Sequence, residues 1–167
     1  MSETKNERLI LPPHYAEVDG PVLFLAGPIL GGGNWQDKAV LYVGDKAPDL
    51  HIANPNRHYG PGEFDFNKQV DWETHYLNRS AQEGAILFWL PKQVTDVKDQ
   101  AYSKTTRFEL AEWKERHIHS GISLVIGIER GFPGQDYIRR RLSQDCPDII
   151  FQETLEDTLD YAIGRCK

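Results

Sequence analysis

The sequence is short of positive charge, of sulfur and of long apolar runs. Lys and Arg total 19 against 25 Asp and Glu, a formal net charge of -6. That deficit argues against a broad basic face for a nucleic-acid polymer, although a few residues still suffice to make one pocket basic. There are two cysteines, Cys146 and Cys166, without metal-ligand spacing. Free thiols of this kind suit a reducing compartment. The six histidines form no H-x-x-x-H pair and no cluster with cysteine, so no metal is assigned and no cofactor is expected. No apolar run approaches the ~20 residues that cross a bilayer. Residues 1–12 lack the basic start and apolar core of a secretory signal. The expectation is a cytoplasmic protein with no membrane partner. Also missing are the G-x-G-x-x-G dinucleotide fingerprint and the Lys-Ser/Thr of a P-loop. No internal repeat, low-complexity segment or long linker breaks the chain.

What is present fits a single α/β domain. The 167 residues are 40% hydrophobic and 26% charged, enough to bury one core. Residues 1–21 read as an N-terminal arm, loose and mostly polar over 1–12 and ending there in a short apolar patch, and residues 22–167 as the folded domain. Val22-Leu23-Phe24-Leu25-Ala26 is a continuous apolar run of strand length, as in a strand covered on both faces. Four more strands are expected at 51–53, 85–90, 122–128 and 149–151. Helices are expected from Trp35 with Asn34 as N-cap, over 66–83, 105–119 and 154–164, and briefly over 137–142. Over 66–83, Val70, Leu77 and Ala81 mark the inner face. Over 105–119 the apolar positions are Phe108, Leu110, Ala111 and Trp113. Alternating strands and helices imply a five-stranded parallel sheet with helices on both faces, in the order 2-1-3-4-5 of these strands.

In such sheets ligands bind beyond the carboxyl ends of the strands. Three segments converge there: 27–35, 54–66 and 91–109. In the first, Gly27, Pro28, Gly31 and Gly32 let backbone approach a ligand closely, ahead of a helix starting at Trp35; a flexible turn is the plainer reading. In the second, Asn54 opens a long loop rich in Gly, Pro and aromatics, and long loops are often functional. In the third, Thr106 to Glu109 has T-x-x-E spacing, so Glu109 is either a capping-box carboxylate or a first-turn group kept ionised by the helix dipole for chemistry. Thr106 and Arg107 precede it by three and two positions. Asp71, Trp72 and Glu73 form an acidic pair around a ring that either stacks on a base or packs in the core. Two residues apart on a helix, Asp71 and Glu73 do not share a face, so at most one enters a site. The plainer reading of both is a solvated first turn. The basic run Arg139 to Arg141 is a solvated face or a contact for an anion.

These motifs, in this order, resemble the nucleoside 2-deoxyribosyltransferase superfamily over nearly the whole chain. The resemblance rests on 22–28 with the glycines behind it, on Gln69-Val70-Asp71-Trp72-Glu73 ahead of 86–91, and on Thr105-Thr106-Arg107-Phe108-Glu109-Leu110-Ala111. It implies a flavodoxin-like (Rossmann-like) fold for 22–167. The implied activity is cleavage or transfer at the N-glycosidic bond of a nucleoside or nucleotide. Glu109 is then the nucleophile that forms a glycosyl ester, and Glu73 or Asp71 is the second carboxylate, with Glu73, directly after the Trp, the first choice. The substrate-binding set is Gly27, Pro28, Gly31, Gly32, Trp35, Asn54, Trp72, Thr106 and Arg107. The resemblance also implies a homo-oligomer, a dimer or larger, acting on a small molecule. Relatives that hydrolyse 5′-monophosphates carry a basic residue in the Gly-rich loop, where this chain has Leu30 and Gly31. Arg107 or the Arg139–Arg141 run is left to supply that charge, and Asp96 and Asp99 are further candidates for substrate contact. Two other functions fit the same residues: hydrolysis of NAD or a nucleotide sugar, and a catalytically silent nucleotide-binding module.

Overall fold

The computed structural model describes residues 7–57 and 59–167. Residues 1–6 of the expected arm and His58 of the 54–66 loop lie outside the described residues. The elements are β1 (Leu9–Ile10), β2 (Val22–Ala26), α1 (Trp35–Lys46), β3 (His51–Ala53), α2 (Phe66–Gln82), β4 (Gly84–Leu90), α3 (Lys104–Ser120), β5 (Leu124–Ile128), α4 (Gln135–Asp145) and α5 (Leu155–Arg165). All five strands pair in parallel, in the order β1-β3-β2-β4-β5. The fold is α/β and flavodoxin-like.

The apolar runs are buried on both sides, and the two-residue period of a strand sorts their side chains between two cores. Val22, Phe24 and Ala26 join Ile86, Phe88 and Leu90 under α2, α3 and α4. Leu23 and Leu25 join Leu87, Trp89 and Val125 under α1 and α5. The exposed positions of α1 and α5 carry most of the charge of those helices, so each buries a single stripe.

The sheet differs from the expected one at both edges. The segment 149–151 is not a strand. Ile149 N–H donates to the Cys146 carbonyl in a turn, Ile150 is 62% exposed, and one parallel bridge, Gly127 to Gln152, is all that forms. The fifth strand instead comes from the arm, where Leu9 and Ile10 pair with Ile52 and Ala53. Two residues have no strand signal of their own; pairing with β3 supplies it. The order of the other four strands is as expected.

Helix faces also shift. In α2 the buried residues are Gln69, Trp72, Tyr76, Leu77 and Ser80, and Val70 is 41% exposed. Asp65 caps α2 by accepting from Lys68 N–H, so Asp71 and Glu73 fall in the second turn and not in a solvated first turn. In α3 the buried residues are Thr106, Leu110 and Trp113, and Phe108 is exposed. Asn34 occupies the N-cap position of α1 without a side-chain capping bond.

Candidate functional site

A cavity of about 710 Å3 opens beyond the carboxyl end of β2. Its walls come from 24–30, from 55–57, from α2 and from 97–109, the three segments expected to converge together with α2. Of the expected site residues, Gly27, Pro28, Glu73, Thr106 and Glu109 line it.

Gly27 has no room for a side chain. A Cβ there would sit 2.5 Å from the Trp35 ring and 2.5 Å from the Trp89 carbonyl oxygen. Trp35 is buried behind the wall and donates its indole N–H to the Pro28 carbonyl at 2.9 Å. It shapes the loop and does not line the cavity. Gly31 and Gly32 also stand outside the lining. Gly31 has a left-handed φ of +85° and packs against Val97 and Tyr102, and its carbonyl accepts from Val94 N–H at 2.8 Å. The glycines therefore bind the 27–33 loop to the 91–103 loop. Tyr102 fastens the same junction by donating to the Pro91 carbonyl at 2.7 Å, and burial pushes its phenol up to about 12.

Asn54 is buried, and its side-chain oxygen accepts from Asn56 N–H at 3.0 Å. That local turn sets Pro55, Asn56 and Arg57 into the wall. Asn54 supports the site without lining it. Trp72 is fully buried. It packs on Phe24 and Tyr76 and donates to the His14 carbonyl at 2.7 Å. Its ring is core and offers no face to a base. Asp71 is exposed and outside the lining, so the helical period selects Glu73 of the acidic pair.

Arg107 turns away from the cavity. Its guanidinium lies 4.6 Å from the Phe132 ring centroid and donates to the Pro133 carbonyl. Arg139 donates to the Ile128 carbonyl and pairs with Glu153, and Arg141 pairs with Asp145. Neither these residues nor Asp96 and Asp99 line the cavity. The cations that do are Arg57 and Lys104. Arg57 lies over Phe64, 4.1 Å from the ring centroid.

Ser103, not a threonine, occupies the N-cap position of α3, in the left-handed region at φ 60°, and makes no capping bond. Glu109 is therefore in the second turn of α3 and belongs to no capping box. The dipole argument for an ionised Glu109 fails with it, because that effect fades beyond the first turn. Burial is the main influence on Glu109, followed by the charges of Glu73 and of Glu112. All three act in one direction and push its carboxyl up to about 8. Glu73 is raised by burial as well, but the Gln69 amide and Arg57 pull it back. Gln69 Nε2 donates to Glu73 Oε1 at 2.6 Å. Burial and the neighbouring carboxylates thus favour a protonated Glu109 near neutral pH, while the Gln69 amide and Arg57 favour the charged form of Glu73.

The residues that sequence reasoning passed over are Arg57, Gln69, Ser103 and Lys104. Gln69 lay within a motif already noted, and Asn56-Arg57 follows the Asn54-Pro55 stop of β3. Ser103 Oγ is buried with no hydrogen-bond partner among the described residues. Among those residues there is also no group of three or more His, Cys, Asp or Glu suited to a metal ion, and no helix long and apolar enough to cross a membrane. The chain matches no protein-family model and no curated protein sequence.

Proposed function

We propose that the protein cleaves, or transfers a glycosyl group at, the N-glycosidic bond of a nucleoside or nucleotide, as its resemblance to the nucleoside 2-deoxyribosyltransferase superfamily implies. The observation that carries this reading is the carboxyl pair in the cavity wall: Glu73, which accepts a hydrogen bond from the Gln69 amide, and Glu109, whose carboxyl burial and like charges push up to about 8. N-glycoside cleavage needs a proton for the leaving base, a carboxylate for the oxocarbenium-like carbon and a base for the acceptor, and two carboxyls sharing one proton can supply all three in turn. In this scheme the bond from C1′ to the base breaks and its electron pair goes to the base nitrogen. The proton held by the pair follows to the base. The freed Glu109 carboxylate bonds to C1′. Water or a second base then takes the sugar, and Glu73 receives the proton released by that acceptor.

Phosphorylated substrates fit the cavity better than bare nucleosides. The uncapped N-terminus of α3, the unpartnered Ser103 Oγ and Lys104 lie together in the wall, and helix N-termini favour anions. These groups supply the positive end that Leu30 and Gly31 lack. Two buried free thiols agree with a cytoplasmic setting.

Incubation with mixed nucleosides, nucleotides and NAD, followed by chromatography, tests the reading. Free base is expected from a nucleoside 5′-phosphate, together with a sugar adduct on Glu109 in the intact mass. A second base converts the product to a new nucleotide in a transferase and leaves free sugar phosphate in a hydrolase. Absence of base release from every substrate would sink the proposal.

A further inference from the structure

Gln69 is 2% exposed, a buried amide in the wall of a cavity. Its oxygen accepts from the Tyr59 hydroxyl at 3.0 Å. Its nitrogen donates to the Pro55 carbonyl at 3.2 Å and to Glu73 Oε1 at 2.6 Å. An amide has two N–H donors and one acceptor oxygen, and all are used here. The network also fixes which way the amide points. Reversed, its oxygen would face the Pro55 carbonyl and a carboxylate, acceptor against acceptor, and the NH2 would face a hydroxyl. Glu73 therefore always meets an N–H, which holds one of its oxygens and favours its charged form. Arg57 on the loop before α2 and Glu109 on α3 interact with Glu73 through their charges, and Lys104 at the start of α3 lines the same cavity. Glu109 has no such donor among the described residues.

We propose that Gln69 is the positioning residue of the carboxyl pair: locked by Tyr59 and Pro55, it aims Glu73 into the cavity and leaves the shared proton on Glu109. The inference deepens the glycosidase reading and rests on it for its catalytic meaning, but the proton distribution is measurable without turnover. It also ties that distribution to the 54–66 loop, since Tyr59 and Pro55 both belong to that loop.

The test is a titration of protein labelled with 13C at the glutamate carboxyl carbons, the two signals assigned through Glu73→Gln and Glu109→Gln. In Gln69→Met, which keeps volume and loses all three bonds, the Glu73 midpoint rises by about one pH unit, because a bond to a charged group is lost. The Glu109 curve becomes two-step as the proton divides between the two carboxyls. Tyr59→Phe, which removes a single hydroxyl, gives a smaller shift in the same direction and decides the matter should Gln69→Met not fold. Unchanged curves in the folded variant overturn the proposal, even if activity drops. Where base release is detected, kcat in Gln69→Met falls about tenfold with KM within about twofold. The expected shifts without base release from the wild type would uphold this inference and count against the glycosidase reading.

Discussion

On the α2 wall of the cavity, Glu73 accepts a short bond from a locked amide and lies near the Arg57 guanidinium. On the α3 wall, Glu109 meets burial and two like charges, with no offsetting group among the described residues. The residue type is the same on both walls. What differs is the partner each backbone position provides, and that difference turns two acids into a proton acceptor and a proton holder. The helix start of α3, which the sequence suggested as the origin of Glu109's reactivity, plays no part in it.

The largest effect expected is at Glu109 itself. Glu109→Gln keeps the shape and removes both proton and nucleophile, and base release falls by about a thousandfold or more; release at the wild-type rate would end the assignment. Glu73→Gln leaves the nucleophile in place and costs about a hundredfold. It also sharpens the comparison, because removing the neighbouring charge lowers the Glu109 midpoint from about 8. In the wild type the active form carries one proton in the pair. The pH profile of kcat/KM is then a bell that falls above about 8 as Glu109 ionises and falls on the acid side as Glu73 is protonated. A flat alkaline limb up to pH 10 would show that Glu109 gives up no proton in the reaction.

The next contrast is between two arginines. Arg57→Ala raises KM for a nucleotide about tenfold, since its guanidinium lines the cavity. Arg107→Ala, whose group is occupied with Pro133 and Phe132, changes KM by less than about twofold. Equal effects on KM would mean that the cavity described here is not where substrate sits.

The order of the strands from β2 to β5 was legible because continuous apolar runs bounded by Gly, Pro and Asn leave few alternatives. The edges were not. Leu9–Ile10 becomes a strand only through a partner distant in the chain, and 149–151 loses its donor to the turn after Cys146. At the site, Glu109 and Glu73 were legible as residue types at a spacing, but not their division of labour. Trp72 shows why: its neighbours in sequence allow a stacking ring, while the helical period buries it with Tyr76. Arg57 and Gln69 acquire their roles only where a loop meets a helix. Arg107 looked like a ligand contact from its place near Glu109, yet helical residues two apart point about 200° apart.

The smallest effect concerns stability, and it separates the two walls without any substrate. The folded protein keeps a proton on Glu109 up to about pH 8, whereas an ordinary glutamate loses it near 4.5. Below 4.5 both folded and unfolded chains hold that proton. Between 4.5 and 8 only the folded chain does, so the Glu109 contribution to stability is lost as pH rises through this window and stays lost above it. Glu109→Gln has no proton to lose. Its advantage over the wild type should be near zero at pH 4.5 and grow to about 2 kcal/mol above pH 8, discounted for partial exposure. That corresponds to a difference in Tm of about 4–8 °C, read by calorimetry across the pH range. Glu73→Gln relieves part of the same strain by removing one of the like charges, so its curve should lie between those of the wild type and Glu109→Gln. Three parallel curves would mean that Glu109 titrates alike in the folded and unfolded chains, and the two walls would then be alike.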